Sequence, residues 1–251
     1  MNQKTFSKLL NINQDFYDHY SCSFSDTRSQ VQPGIRKLID KIRPNINILD
    51  IGCGNGTLAR ALAAQGFSGQ YVGVDMSANL LAHARDLLGN PENGHYAFKQ
   101  VDLAASNWHN DLPPGHYDWV VSFAVLHHLP GDALRLGTAL AFNQLLKQDG
   151  QVAVSVWQWH NSPRLRKRVQ PWSTVGINPD DLDKGDVLLD WRADETIGLR
   201  FVHTFDEHTL ANLAERAGFE VTESFYSDGK TGDLALYQIW QPDHPEKKPA
   251  A

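Results

Sequence analysis

Gly52, Gly54 and Gly56 alternate through the run "LDIGCGNGTLAR", and Asp50 lies two residues ahead of the first. Glycines at this spacing allow a tight turn and let backbone N–H groups approach a ligand closely. The helix expected after them offers free N–H groups to a carboxylate or phosphate. Asp75, closing the next apolar run, is placed to accept both hydroxyls of an adenosine ribose, and Met76 to lie against a purine face. Asp102, in "QVDLA", is placed to take the amino group of that base. The dinucleotide fingerprint Gly-x-Gly-x-x-Gly/Ala requires a small residue at the position held by Thr57, so that pattern is not met.

A second constellation is "VVSFAVLHHLP", in which His127 and His128 follow an apolar run. Adjacent histidines there could be metal ligands, a general base or a pocket wall. No third ligand has matching spacing, and Cys22 and Cys53 lie far apart, so no metal site is expected. A third is "RLRKR" (164–168), close to Trp157, Trp159 and Trp172. It reads either as a solvated face or as a place to hold phosphate and a splayed base.

The chain has 251 residues, 41% of them apolar and 21% charged, as in soluble globular proteins. Its net charge of −6 argues against a broad nucleic-acid surface but leaves room for a local basic patch. No apolar run is long enough to span a bilayer, and "MNQKTFSKLL" lacks the apolar core of a secretion signal, so a cytoplasmic location is expected with no membrane partner.

These residues need a scaffold, and the chain supplies alternating elements from Asn45 onward. "NINILDIG", "GQYVGVDM", "HYAFKQVD", "YDWVVSFAV" and "GQVAVSVW" read as strands. "NGTLARALAAQG", the segment capped by Ser77, and "GDALRLGTALAFNQLLKQDG", ending in an Asp-Gly turn, read as the helices between them. This alternation implies a parallel sheet covered on both faces. "FDEHTLANLAERAGF" is a helix with an Asp206 cap, followed by a hairpin of "FEVTESFYS" and "DLALYQIW". Weak periodicity between Trp159 and His203 suggests an insertion over the ligand-binding edge of the sheet.

Asp-x-Gly-x-Gly-x-Gly with its two downstream acids resembles the motif of class I S-adenosylmethionine (SAM) methyltransferases. The resemblance implies an α/β Rossmann-like fold, a seven-stranded mostly parallel sheet with a terminal antiparallel hairpin. It implies SAM as cofactor, S-adenosylhomocysteine as product, and a role for each matching residue. Asp50, Gly52 and Gly54 would hold the methionine portion, Asp75 the ribose, Met76 and Leu103 the adenine faces, and Asp102 the amino group. Phe123 and Ala124 would pass under the cofactor. His127 would face the acceptor and His128 would be satisfied by backbone.

A narrower resemblance is carried by "FYDHYSCSFSDTRSQVQP" (16–33), by "GDVLLDWR" with "LRFVHTFDEHTL", and by "VSVWQW". It is to tRNA methyltransferases that esterify carboxymethyluridine at the wobble position, and to the methyltransferase domain of AlkB-type tRNA hydroxylases. This chain has Gln32-Pro33 where that family has Trp-Pro, and a shorter insertion; eukaryotic members work with a small zinc-binding partner. The resemblance implies cofactor or phosphate contact by Arg28, and acceptor contact by Arg200 and His203. It implies one domain over 1–241: an N-terminal helical cap (1–44), the SAM-binding core (45–157), a substrate-side insertion (158–205), and a terminal helix and hairpin (206–241). A disordered tail (242–251) follows. Three functions stay open: methylation of a modified tRNA uridine on a carboxylate or oxygen, methylation of a small-molecule metabolite, and a non-catalytic SAM-binding partner subunit.

Overall fold

The computed structural model describes residues 1–26, 30–193 and 196–243. Helices α1 (Gln3–Asp26) and α2 (Pro33–Ile39) precede the first strand, β1 (Asn47–Ile51). The chain then alternates: α3 (Thr57–Ala64), β2 (Gln70–Asp75), α4 (Ala78–Leu88), β3 (His95–Gln100), β4 (Tyr117–Phe123), α5 (Asp132–Leu145) and β5 (Leu146–Trp157). A short helix α6 (Pro163–Arg166) and strands β6 (Val169–Gln170), β7 (Asp186–Ala193) and β8 (Thr196–His203) form the insertion. Helix α7 (Glu207–Arg216) and strands β9 (Phe219–Ser227) and β10 (Ala235–Pro242) close the fold.

The main sheet runs β3-β2-β1-β4-β5-β10-β9, with β10 antiparallel to both of its neighbours and the first five strands parallel. The order reverses between β1 and β4, and at such a switch point the loops leaving neighbouring strands diverge and open a crevice. Alternate side chains of each strand supply the two cores. Leu49, Val120, Val154 and Leu236 meet α5 and α7 through Phe142, Leu145, Leu210 and Leu213. Ile48, Val121, Ala153 and Tyr237 meet α2 and α3 through Leu38, Leu58 and Leu62. The expected fold is therefore the one observed, and β10 extends to Pro242 where a tail was expected to begin. Residues 244–251 of that tail lie outside the described residues.

Two local readings change. The Asp149-Gly150 turn expected to end a helix lies inside β5, which starts directly after α5. The register between β4 and β5 jumps from Tyr117↔Leu146 to Trp119↔Gln151, so the turn residues form a bulge rather than a break. The weakly periodic insertion contains an antiparallel sheet, β6-β7-β8. Its middle strand buries the adjacent Leu188 and Leu189, and β8 buries Phe201 and Val202, so no alternation marks either.

Helix α7 starts with a reciprocal cap: Thr209 N–H donates to Asp206 Oδ1 at 2.7 Å, and Asp206 N–H donates to Thr209 Oγ1 at 2.9 Å. Asp206→Ala is expected to cost about 1 kcal/mol, read as a lower urea midpoint with an unchanged slope.

Candidate functional site

Where β1 ends, the backbone turns through Gly52, Gly54 and Gly56, with φ of 71°, 55° and 71°. Only glycine adopts this left-handed region without cost. A Cβ at Gly52 would lie 2.3 Å from Val125 Cγ2, so the loop packs directly on the segment after β4. At Gly54 an added Cβ would meet no atom within 4 Å, because that face of the loop lines an open cleft.

Asp75 ties this loop to the next strand. Its Oδ2 accepts from Gly54 N–H and its Oδ1 from Ser77 N–H, both at 2.9 Å. Burial pushes this carboxyl above its ordinary range despite those donors. The Met76 N–H is a further donor to this carboxylate, whose two oxygens keep acceptor capacity for a ligand. Asp50, 4% exposed, accepts from the Tyr71 hydroxyl at 2.5 Å. Burial, outweighing that hydrogen bond, raises it to about 7, with the nearby Asp75 charge adding to the rise.

The cleft above the loop is bounded by Asp50, Gly52, Gly54, Asp75, Met76, Asp102, Leu103, Phe123 and Ala124, so the structure gathers these sequence-predicted residues into one place. Asp102 stands exposed at its edge, its Oδ1 accepting from Ala104 N–H at 2.8 Å. Ala124 is a rare non-glycine residue with positive φ, 58°, held there by Ala124 N–H donating to both Ser155 O (3.0 Å) and Ser155 Oγ (3.1 Å). The residues present fit an adenosyl amino acid. There is a glycine cradle, a carboxylate for the ribose, apolar faces for a base, and a buried carboxylate able to meet an ammonium.

An N-terminal helical cap was expected, but sequence reasoning missed the residues that seat it over this cleft. Leu10, Asn13 and Tyr17 of α1, and Gln30 to Gln32 ahead of α2, line its other wall. Asn13 docks α1 through three bonds: it donates to His128 O (3.0 Å) and Phe201 O (3.2 Å), and accepts from Phe201 N–H (2.8 Å). Phe16 and Tyr20 press on Gly198, where a Cβ would lie 2.8 Å from either ring. A buried asparagine on an amphipathic helix, with a glycine in a distant strand, carries no motif.

Of the histidine pair, His128 is satisfied by backbone as expected, but it rather than His127 faces the cleft. His128 lines the cleft; its Nδ1–H donates to Phe201 O at 3.0 Å, and its Nε2 hydrogen-bonds the Tyr17 hydroxyl at 3.1 Å. His127 is fully buried behind it, stacked on Trp157 with centroids 5.2 Å apart, and borders neither cavity described here. The reason is the short 3-10 turn Leu126–His128, which rotates the first ring inward.

A second cavity adjoins the first and shares Gln32, Ile35, Phe123 and Ala124 with it. Trp157, Trp191, Arg164, Arg168, Arg192 and Arg200 form much of its wall. The Arg200 guanidinium lies 4.6 Å from the centroid of Trp157 and 4.7 Å from that of Phe16. His203, expected beside Arg200, lines neither cavity. Successive strand residues point to opposite faces, and its Nδ1 instead pairs with Asp186 Oδ1 at 2.7 Å. Arg28 lies outside the described residues.

A methyltransferase-domain family model matches residues 24–224. The tRNA (carboxymethyluridine(34)-5-O)-methyltransferase of Schizosaccharomyces pombe is 24% identical over 84% of this chain and 89% of its own. The ubiquinone biosynthesis O-methyltransferase of Sodalis glossinidius is 36% identical over 43% of this chain but 40% of its own. Several other curated relatives are likewise matched over less than two thirds of their own length. Among solved structures, the Burkholderia thailandensis 1,6-didemethyltoxoflavin-N1-methyltransferase, with its acceptor and S-adenosylhomocysteine bound, superposes with a TM-score of 0.66. It is 17% identical, over 97% of this chain and 92% of that one.

Proposed function

The chain belongs to the methyltransferase-domain family and has the fold of SAM-dependent methyltransferases, and from that premise we propose that it methylates a carboxylate oxygen of a modified uridine in tRNA. The observation that carries the reading is the second cavity, which opens off the cofactor cleft at Phe123 and Ala124 and presents Arg200 there. A carboxylate is already deprotonated at neutral pH, so its methylation needs orientation rather than a general base. Arg200 supplies a planar fork suited to that group.

When bound, SAM supplies a methyl group already activated by its sulfonium. Asp75 holds the ribose while fixing Gly54, Asp50 meets the amino group, and Met76 and Leu103 enclose the base. Phe123 and Ala124 line both spaces where the cleft meets the acceptor cavity. Tyr17 and His128 close the side over α1 and exclude water. The basic run 164–168 continues outward from the second cavity. Arg164, Arg166 and Lys167 are exposed there, which suits a phosphate backbone despite the net charge of −6. Among the described residues no helix is long and apolar enough to cross a membrane.

Incubation with tRNA and methyl-labelled SAM, followed by digestion to nucleosides, tests the proposal. Label in a uridine derivative is expected; S-adenosylhomocysteine binding with no label in tRNA from several sources would overturn it. A small-molecule metabolite is the second reading, since a net charge of −6 weighs against a broad RNA-binding surface, and RNA-independent turnover would select it.

Asp50 makes cofactor affinity depend on pH. In the free protein its carboxyl is held near 7, so below that value it is largely protonated. An ammonium ligand prefers the carboxylate, so binding at lower pH must release a proton. Affinity for S-adenosylhomocysteine is expected to fall by up to about tenfold per pH unit below 7. Asp50→Asn should flatten that profile when both are followed by calorimetry between pH 5.5 and 8.

A further inference from the structure

The second cavity carries more positive charge than one carboxylate would use. Four arginines line it, against two carboxylates, Asp190 and Asp228. Asp228 is occupied by neutral donors, Gly34 N–H at 2.9 Å and Tyr237 OH at 2.6 Å. Asp190 is different. Its side chain is 2% exposed, and it accepts from Arg168 Nη1 at 3.2 Å, from Arg192 Nη2 at 3.0 Å and Nε at 3.3 Å, and from Gln170 Nε2 at 3.0 Å. Its own N–H donates to Arg168 O at 2.8 Å.

A buried carboxylate is costly unless it is paired, and Arg168 with Gln170 would already pair this one. Arg192 has a side chain 55% exposed to solvent. An arginine that open gains little stability from an ion pair, yet it is held by two bonds to one buried oxygen. Two guanidiniums on one carboxylate leave a net positive charge, with unused N–H groups facing the cavity. The Arg200 guanidinium lies against the rings of Phe16 and Trp157.

We propose that Asp190 is a positioning residue that holds Arg168 and Arg192 as a second anion subsite, which takes a phosphate of the acceptor while Arg200 takes its carboxylate. This rests on the reading that the cavity receives the acceptor. It sharpens that reading: the acceptor is doubly anionic, a nucleotide rather than a free nucleoside. The geometry requires Asp190 because a guanidinium on an exposed side chain otherwise samples many rotamers, and fixing it beforehand lowers the cost of binding.

The test uses full-length protein saturated with S-adenosylhomocysteine. Inorganic phosphate is titrated first, followed by tryptophan fluorescence. Binding is expected, weakened about tenfold in Asp190→Asn and partly restored in Asp190→Glu. Arg192→Gln, at an exposed position, should show the same loss if Asp190→Asn fails to fold. Next, 5-carboxymethyluridine and its 5′-monophosphate are compared. The wild type should favour the monophosphate about tenfold, and Asp190→Asn should erase that preference with nucleoside and S-adenosylhomocysteine affinities unchanged. No phosphate binding, or binding and nucleotide preference that survive in both variants, overturns the subsite. Phosphate binding that is sensitive to Asp190, with neither uridine compound bound, supports the subsite and overturns the uridine reading alone.

Discussion

Asp75→Ala is expected to lower the affinity for S-adenosylhomocysteine by about 100- to 1000-fold, roughly 3–4 kcal/mol. Its two oxygens hold Gly54 N–H and Ser77 N–H, each at 2.9 Å, and the same oxygens are offered to the ribose. Removing the side chain therefore loosens the glycine loop and deletes the ribose acceptor together. Asp75→Asn keeps one acceptor oxygen and should recover part of the loss. Ser77 also caps α4, where its hydroxyl accepts from Leu80 N–H at 3.3 Å, so thermal unfolding must be followed alongside calorimetry. A variant that melts like wild type but binds weakly isolates the ligand contribution; wild-type affinity would contradict the assignment of Asp75.

Arg200→Ala should leave S-adenosylhomocysteine affinity within about threefold while lowering kcat/KM for the acceptor by about 100-fold or more. Truncating one partner of a buried charged contact costs some 2–5 kcal/mol. Arg200 is 4% exposed and lines the second cavity, not the glycine-loop cleft, which is why the two readouts should separate. Arg200→Lys should rescue little. An ammonium lacks both the planar fork for a carboxylate and the flat face that stacks between Phe16 and Trp157. Equal losses in cofactor affinity and turnover would mean that the side chain merely supports the fold.

How far the sequence carries depends on whether the signal is local. The glycine loop, Asp75 and the strand–helix alternation are local patterns, and the cleft they predict is assembled from the named residues. The histidine pair is less tractable, because which ring faces outward depends on a single 3-10 turn. His203 and Arg200 share one strand, but parity sends one toward Asp186 and the other into the cavity, and a motif match does not encode parity. The insertion hides its strands because adjacent apolar residues are buried on both faces. Asn13, Gly198 and Asp190 matter through partners that no local pattern names: Asn13 bonds Phe201, Gly198 admits Phe16, and Asp190 joins Arg168, 22 residues before it, to Arg192 of its own strand. Such groupings become visible only when the chain is folded.

The central claim is that the methyl group is placed on a carboxylate held beside Arg200. Its most direct test is the alkali lability of the methyl group transferred to tRNA. A methyl ester hydrolyses under mild base and releases its label as methanol, whereas a methyl on nitrogen or on a ribose hydroxyl survives. Release of the label as volatile methanol, and its absence when Arg200→Ala replaces the wild type, is the predicted result. Label that stays on the nucleoside through alkaline treatment would contradict it.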